Sequence, residues 1–228
     1  MNTFKDYLEI REGVNDPAIF KAVFLAGGPG SGKSFIVGKT GLTALGFKVV
    51  NSDDAFEAAM AKAGMETTPD NIFSVQGQEI RNKAKILTGT KQTRYIQGRL
   101  GLVIDGTGKD TEKIKKQAKA LKKLGYDVAM IFVNTDLQTA QDRNMMRART
   151  LPPAEVENYW ITVQKNIGAF QTLFGKKRFI VVDNSEGKDY VKETTRAYRE
   201  MTKFSTAKPQ NAIANKWIKS ELKSKSDN

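Results

Sequence analysis

The chain has 228 residues, room for one sizeable α/β core or two small domains at most. Its 37 Lys and Arg against 25 Asp and Glu leave a formal charge of +12, which suits a polyanionic partner such as nucleic acid or else spreads as solvated surface. With no Cys and no His, the composition excludes disulfides, thiolate chemistry, imidazole zinc sites and His-based general-base catalysis, and proton transfer falls to carboxylates, Lys, Tyr or water.

The amino terminus, MNTFKDYLEIREG, is too polar for a secretory signal, and no apolar run approaches the roughly 20 residues that span a bilayer. A soluble, cytoplasmic chain without a membrane partner is expected. Five short runs then read as strands: AVFLA (22–26), FKVVN (47–51), GLVID (101–105), YDVAMIFV (126–133) and RFIVVD (178–183). Each is apolar on both faces, as a parallel sheet covered by helices requires. The segment 56–100 is long for one crossover and predicts about two helices, one carrying Val75, Ile80, Ala84 and Leu87 on its apolar face. Over 109–124, Ile114, Ala118 and Leu121 mark the buried face, and lysines occupy much of the rest. The polar tail after Phe204 offers Ile213, Trp217 and Ile218 for a short docking helix. Strand alternating with helix predicts one α/β domain over 21–204, between an N-terminal segment (1–20) and the tail (205–228).

Directly behind the first strand stands GGPGSGKS, which satisfies G-x-x-x-x-G-K-[ST]. In Gly27, Gly28, Pro29, Gly30, Ser31 and Gly32 the glycines let the backbone curl so that its N–H groups face phosphate oxygens. Lys33 brings a full charge to the β- and γ-phosphates, and the Ser34 hydroxyl suits Mg²⁺. The segment therefore predicts binding of ATP with Mg²⁺. NSDDAF closes the second strand, and Asp53 or Asp54 there is placed to accept a hydroxyl proton, although Asp53 would equally cap the helix that follows. Asp105 ends the third strand, fit for a water-mediated Mg²⁺ contact, an acceptor contact or a turn before Gly106. In DRNMMRARTLPP, Arg143 and Arg147 share a helical face and Arg149 stands near its end. They could stabilise a transferring phosphoryl group or be a solvated basic helix.

Together these residues resemble the polynucleotide kinase and zeta toxin branch of the P-loop kinases. GFKVVNSDD is similar to the polynucleotide kinase segment whose second strand ends at the catalytic aspartate, which selects Asp53, whereas the zeta toxin pattern D-x-F selects Asp54 with Phe56. RNMMR followed by LPP resembles the kinase lid, which implies Arg143 and Arg147 as lid arginines. The zeta-like ARTLP adds Arg149 beside the nucleotide. The resemblance implies a nucleoside-kinase-like parallel sheet with an arginine-bearing lid. It also implies transfer of the γ-phosphoryl group to a hydroxyl, with a polynucleotide 5′-end the favoured acceptor and a UDP-sugar the alternative. Non-catalytic nucleotide binding in a phage head is the reading from another class. Ala55-Phe56-Glu57 stand where polynucleotide kinases commonly carry an arginine. The candidate polynucleotide contacts are the lysines of 109–123 and the cluster Arg81, Lys83, Lys85, Lys91, Arg94 and Arg99. The first thirteen residues resemble the targeting peptides of tailed-phage internal head proteins, with Ile10-Arg11-Glu12 before Gly13 as a cleavage pattern, which implies a bacteriophage protein packaged in the head.

Overall fold

Strand β1 (Lys21–Ala26) is buried along its whole length and alternates between two cores. Ala22, Phe24 and Ala26 face one cluster, and Val23 and Leu25 face the other. The computed structural model describes residues 13–146 and 150–226; the proposed targeting peptide and its cleavage pattern up to Glu12 lie outside them. Beside β1 run β2 (Lys48–Val50), β3 (Leu102–Ile104), β4 (Asp127–Asn134) and β5 (Phe179–Asp183). All are parallel, in the order β2-β3-β1-β4-β5. Val23 pairs with Val103 on one side and Ala129 on the other. The chain therefore leaves the central strand for opposite halves of the sheet, and ligands bind at the carboxyl edge of such a switch point.

Helices cover both faces. On the Phe24 side lie α5 (Thr111–Lys123), through Ile114, Ala118 and Leu121, and α8 (Ile167–Phe174), through Phe170 and Phe174. On the Val23 side lie α1 (Lys33–Lys39), through Ile36, and α9 (Tyr190–Thr206), through Ala197 and Met201. The remaining helices are α2 (Ser52–Lys62), α3 (Pro69–Phe73), α4 (Val75–Gln97), α6 (Leu137–Met145), α7 (Pro153–Lys165) and α10 (Ala212–Ser226).

Two sequence expectations change. The segment 56–100 holds α3 and most of α2 as well as α4. On α4, Ile80 and Ala84 pack with Phe56 and Met60 of α2, but Val75 is 81% and Leu87 52% exposed. Leu87 shares the face of Ile80 and Ala84, yet it lies outside the cluster that those two form with Phe56 and Met60. Burial on α4 resumes only at Tyr95 and Ile96, near the sheet. The tail does dock as a helix, but through Ala214, Trp217 and Ile218, with Ile213 turned outward. The Trp217 ring meets Phe20 edge-on and carries the Arg99 guanidinium 4.2 Å above it.

At the amino edge of the sheet, Lys21 Nζ donates to Asp127 Oδ2 at 2.9 Å, and both side chains are almost wholly buried. Burial pulls the Lys21 ammonium below its usual pKa, against the opposing pull of Asp127. Asp127 Oδ2 also accepts from the Gln210 N–H, which ties the start of α10 to the foot of the sheet.

Candidate functional site

The carboxyl ends of β1 and β3 meet where the glycine-rich loop begins. Gly27 N–H donates to the Thr107 carbonyl at 3.1 Å, so the loop is moored to the turn after β3. Gly27, Gly30 and Gly32 all have φ in the left-handed range. A Cβ on Gly27 would meet Ser31 Oγ and the Val133 carbonyl at 2.7 Å, one on Gly30 would strike the Ala140 carbonyl, and one on Gly32 would strike Asn184 Nδ2. These three glycines are needed by the fold itself. Gly28 differs: its φ is negative and a Cβ there meets nothing within 4 Å.

Helix α1 starts at Gly32 with no side chain capping it and no acid in its first turn, which leaves its leading N–H groups for an anion. Lys33 Nζ donates to the Gly27 carbonyl at 2.6 Å, which curls the lysine back across the loop. Ser34 is exposed beside it. Ser31 Oγ and Asp105 Oδ1 are buried and have no hydrogen-bond partner among the described residues. Burial raises the Asp105 pKa, the Lys33 charge opposes that rise, and Asp54 and Asp53 add to it. Lys33, Asp53, Asp54 and Asp105 therefore lie within electrostatic reach of one another at one sheet edge.

Asn51, not Asp53, caps α2: its side-chain oxygen accepts from Asp53 N–H at 2.9 Å, while its amide donates to Asp54 Oδ1 at 2.8 Å. The two aspartates are thereby distinguished. Asp54 is held, whereas the exposed Asp53 carboxylate accepts no hydrogen bond among the described residues.

On the other flank, Arg143 of α6 reaches the loop. Its Nη1 donates to the Asn184 carbonyl at 2.8 Å, and Asn184 Nδ2 donates to the Ser31 carbonyl at 2.8 Å. Arg147 and Arg149 lie outside the described residues. Asn144 ties the last turn of α6 to Leu151: its Nδ2 donates to the Leu151 carbonyl and its Oδ1 accepts from Leu151 N–H, at 2.8 and 3.0 Å. Asn166 Nδ2 holds the carbonyls of Gly108 and Lys109, and Trp160 Nε1 donates to the Thr135 carbonyl. Sequence reasoning missed Asn51, Asn144, Asn166 and Asn184, whose only signal is a position at an element's end, the last turn of α6 for Asn144 and the residue after β2, α7 and β5 for the others.

The donor set fits Mg²⁺ with ATP. The Ser34 hydroxyl and the unsatisfied Asp105 carboxylate are hard oxygen ligands, and no group of three acidic side chains among the described residues could hold the ion without phosphate and water. The expected basic cluster does not converge on this site. Arg81 lies 5.2 Å over the Phe56 ring, whereas Arg99 stacks on Trp217 and its carbonyl accepts from Phe20 N–H at the opposite, amino edge. α4 runs from one edge of the sheet to the other, so its basic residues are strung out along it.

No curated protein matches this sequence at a significant level. Among solved structures, one from the PezAT chromosomal toxin–antitoxin system of Streptococcus pneumoniae is 15% identical with a TM-score of 0.53, over 90% of this chain and 92% of that one. The AvrRxo1-ORF1:ORF2 complex with ATP is 12% identical with a TM-score of 0.56, over 93% and 82%. A putative kinase from Chloroflexus aurantiacus is 10% identical with a TM-score of 0.50, over 82% and 99%. At these identities the likeness is one of fold, the α/β fold of the P-loop kinases. The zeta toxin family profile matches residues 6–195. No helix among the described residues is long and apolar enough to cross a membrane. With most of its length matched and a P-loop at the switch point, the chain belongs to the zeta toxin family and is a P-loop phosphotransferase.

Proposed function

We propose that the protein transfers the γ-phosphoryl group of ATP to the hydroxyl of a small nucleotide-sugar acceptor, with Asp53 as general base. The observation that carries this reading is the convergence at one sheet edge of Lys33, the unsatisfied Asp105 Oδ1 and the unengaged Asp53 carboxylate. Ser34 and Asp105 are the residues that would hold Mg²⁺, which would neutralise charge on the triphosphate when bound. Lys33 and the N–H groups from Gly27 to Ser34 bind and orient the triphosphate. Asp53 accepts the acceptor's proton as its oxygen bonds to phosphorus. The bond to the bridging oxygen breaks, and that electron pair leaves with ADP. Arg143, with Arg147 and Arg149, balances charge on the transferring group.

A polynucleotide 5′-hydroxyl is the second reading, favoured by the net charge of +12. The nucleotide sugar ranks first because the basic cluster of 81–99 does not converge on the site, and Ala55-Phe56-Glu57 present no cation beside the aspartates. Transfer of label from γ-labelled ATP to a panel of UDP-sugars, 5′-hydroxyl DNA and 5′-hydroxyl RNA tests both. Asp53→Asn is expected to lose at least about 10²-fold in turnover, the lower end for general-base catalysis. ADP affinity should be unchanged and Asp54→Asn should lose less. Equal, small losses in the two variants would remove the base assignment. Absence of transfer to every acceptor would remove the kinase reading in favour of nucleotide binding alone.

A further inference from the structure

Helix α5 turns a lysine face to solvent. With Ile114, Ala118 and Leu121 buried on the sheet, six lysines occupy the other faces of Thr111–Lys123 against a single glutamate. Lys115 pairs with Glu112 at 3.1 Å, and Lys122 Nζ reaches the Leu173 carbonyl. The side-chain amines of Lys113, Lys116, Lys119 and Lys123 have no hydrogen-bond or ion-pair partner among the described residues, and they line an open groove of about 780 Å³. The only acids of that groove, Asp110 and Glu112, are at its N-terminal end and engaged with the Lys113 N–H and Lys115. Their spacing of three or four residues puts them in one stripe. Ten residues of helix make that stripe about 15 Å long.

We infer that the outer face of α5 is a docking surface for the phosphodiester backbone of nucleic acid, separate from the nucleotide site. One strand of a duplex carries roughly four phosphates over such a length, at one per 3.4 Å. Four unpaired amines in a row match that charge in sign, number and reach. A membrane surface fits less well, because interfacial helices interleave Trp, Phe or Leu with their lysines. Between Lys113 and Lys123 the solvent face of α5 offers only Gln117 and Ala120 beside its charges. The charge excess that suggested a polynucleotide acceptor thus acquires a location without requiring that the polymer be phosphorylated. The inference does not rest on the kinase reading.

The test is fluorescence anisotropy of a dye-labelled, 5′-phosphorylated single-stranded 20-mer, with EDTA and without nucleotide, so that no phosphoryl transfer can contribute. Four phosphate contacts at a slope near −0.7 each predict that a rise from 50 to 200 mM salt weakens binding about 50-fold. In the variant Lys113→Gln/Lys116→Gln/Lys119→Gln/Lys123→Gln, binding should fall at least about tenfold at 50 mM salt, and the same rise in salt should then change it less than about twofold. Gln keeps the helix propensity, and circular dichroism checks the fold. The matched variant Lys83→Gln/Lys85→Gln/Lys91→Gln/Arg94→Gln on α4 loses the same charge and should bind nearly as wild type. Equal weakening in both variants would make the effect one of net charge and overturn the assignment. No binding by the wild type would overturn it too, as would binding confined to anionic phosphatidylserine vesicles tested in parallel.

Discussion

Gly28 and Gly32 stand four residues apart in one loop, and the structure predicts opposite consequences for replacing them with alanine. At Gly32 the left-handed φ costs an alanine about 1–2 kcal/mol. Its Cβ must also displace Asn184 Nδ2, which breaks the bond to the Ser31 carbonyl, for roughly another 1 kcal/mol. A loss of about 2–3 kcal/mol in a domain of this size lowers the thermal midpoint by about 4–12 °C. At Gly28, φ is negative and the Cβ meets nothing, so alanine only restricts the unfolded chain and should stabilise by about 0.4–1 kcal/mol, or about 1–4 °C. If the open space beside Gly28 is where phosphate lies, Gly28→Ala should nonetheless bind ATP at least about tenfold more weakly, a loss of about 1.4 kcal/mol. Differential scanning calorimetry without ligand, paired with isothermal titration of ATP, reads both quantities on the same samples. A Gly28→Ala protein that binds ATP as wild type does would refute the phosphate cradle as the reason for that glycine. A Gly32→Ala protein with an unchanged midpoint would refute the packing argument.

Asp105 and Asn144 give two more expectations. Burial raises the Asp105 pKa in the fold, so its ionisation works against folding, and the penalty builds as pH rises from the ordinary value of 3.8. In metal-free buffer Asp105→Asn should therefore gain thermal midpoint over wild type as pH rises from acid towards neutral, while losing phosphoryl transfer; a difference that shrinks with rising pH would contradict the buried, unpartnered carboxylate. Asn144→Ala leaves the Leu151 N–H and carbonyl without their partner, at about 1–3 kcal/mol, and should speed limited proteolysis between 145 and 151; an unchanged cleavage rate would dismiss Asn144 as the clasp of that segment.

What could be read in advance follows from how local each cause is. Strands β1, β3 and β4 were legible because burial on both faces makes a strand almost wholly apolar, whatever packs on it. Strand β2, at the sheet edge, exposes Lys48 and Val49 and was marked only by its β-branched pair. The phosphate loop was legible because its glycines, lysine and serine are chemically over-determined within eight residues. The burial of α4 was not, since whether Leu87 is covered depends on what packs beside that turn, and no residue of α4 encodes that. Nor was the dispersal of Arg81 and Arg99, which only the direction of a long helix across the sheet reveals.

The asparagines are the more instructive omission. Asn51, Asn144, Asn166 and Asn184 each place one amide against backbone or carboxylate groups at the end of an element. An amide offers a donor and an acceptor on one planar group, so it can satisfy two unlike partners without placing a charge in a site already crowded with them. That is why Asn51 can cap α2 through its oxygen while its nitrogen holds Asp54, a division that an aspartate at 51 could not make. Asn184 works differently: its side-chain amide donates to the Ser31 carbonyl while its backbone carbonyl accepts from Arg143, and the neutral side chain adds no negative charge where a triphosphate is expected. Single amides carry no period and no spacing rule, so a sequence displays them as ordinary polar residues. Their role follows from the backbone groups they meet, and through those contacts they separate the two aspartates and join Arg143 to the phosphate loop.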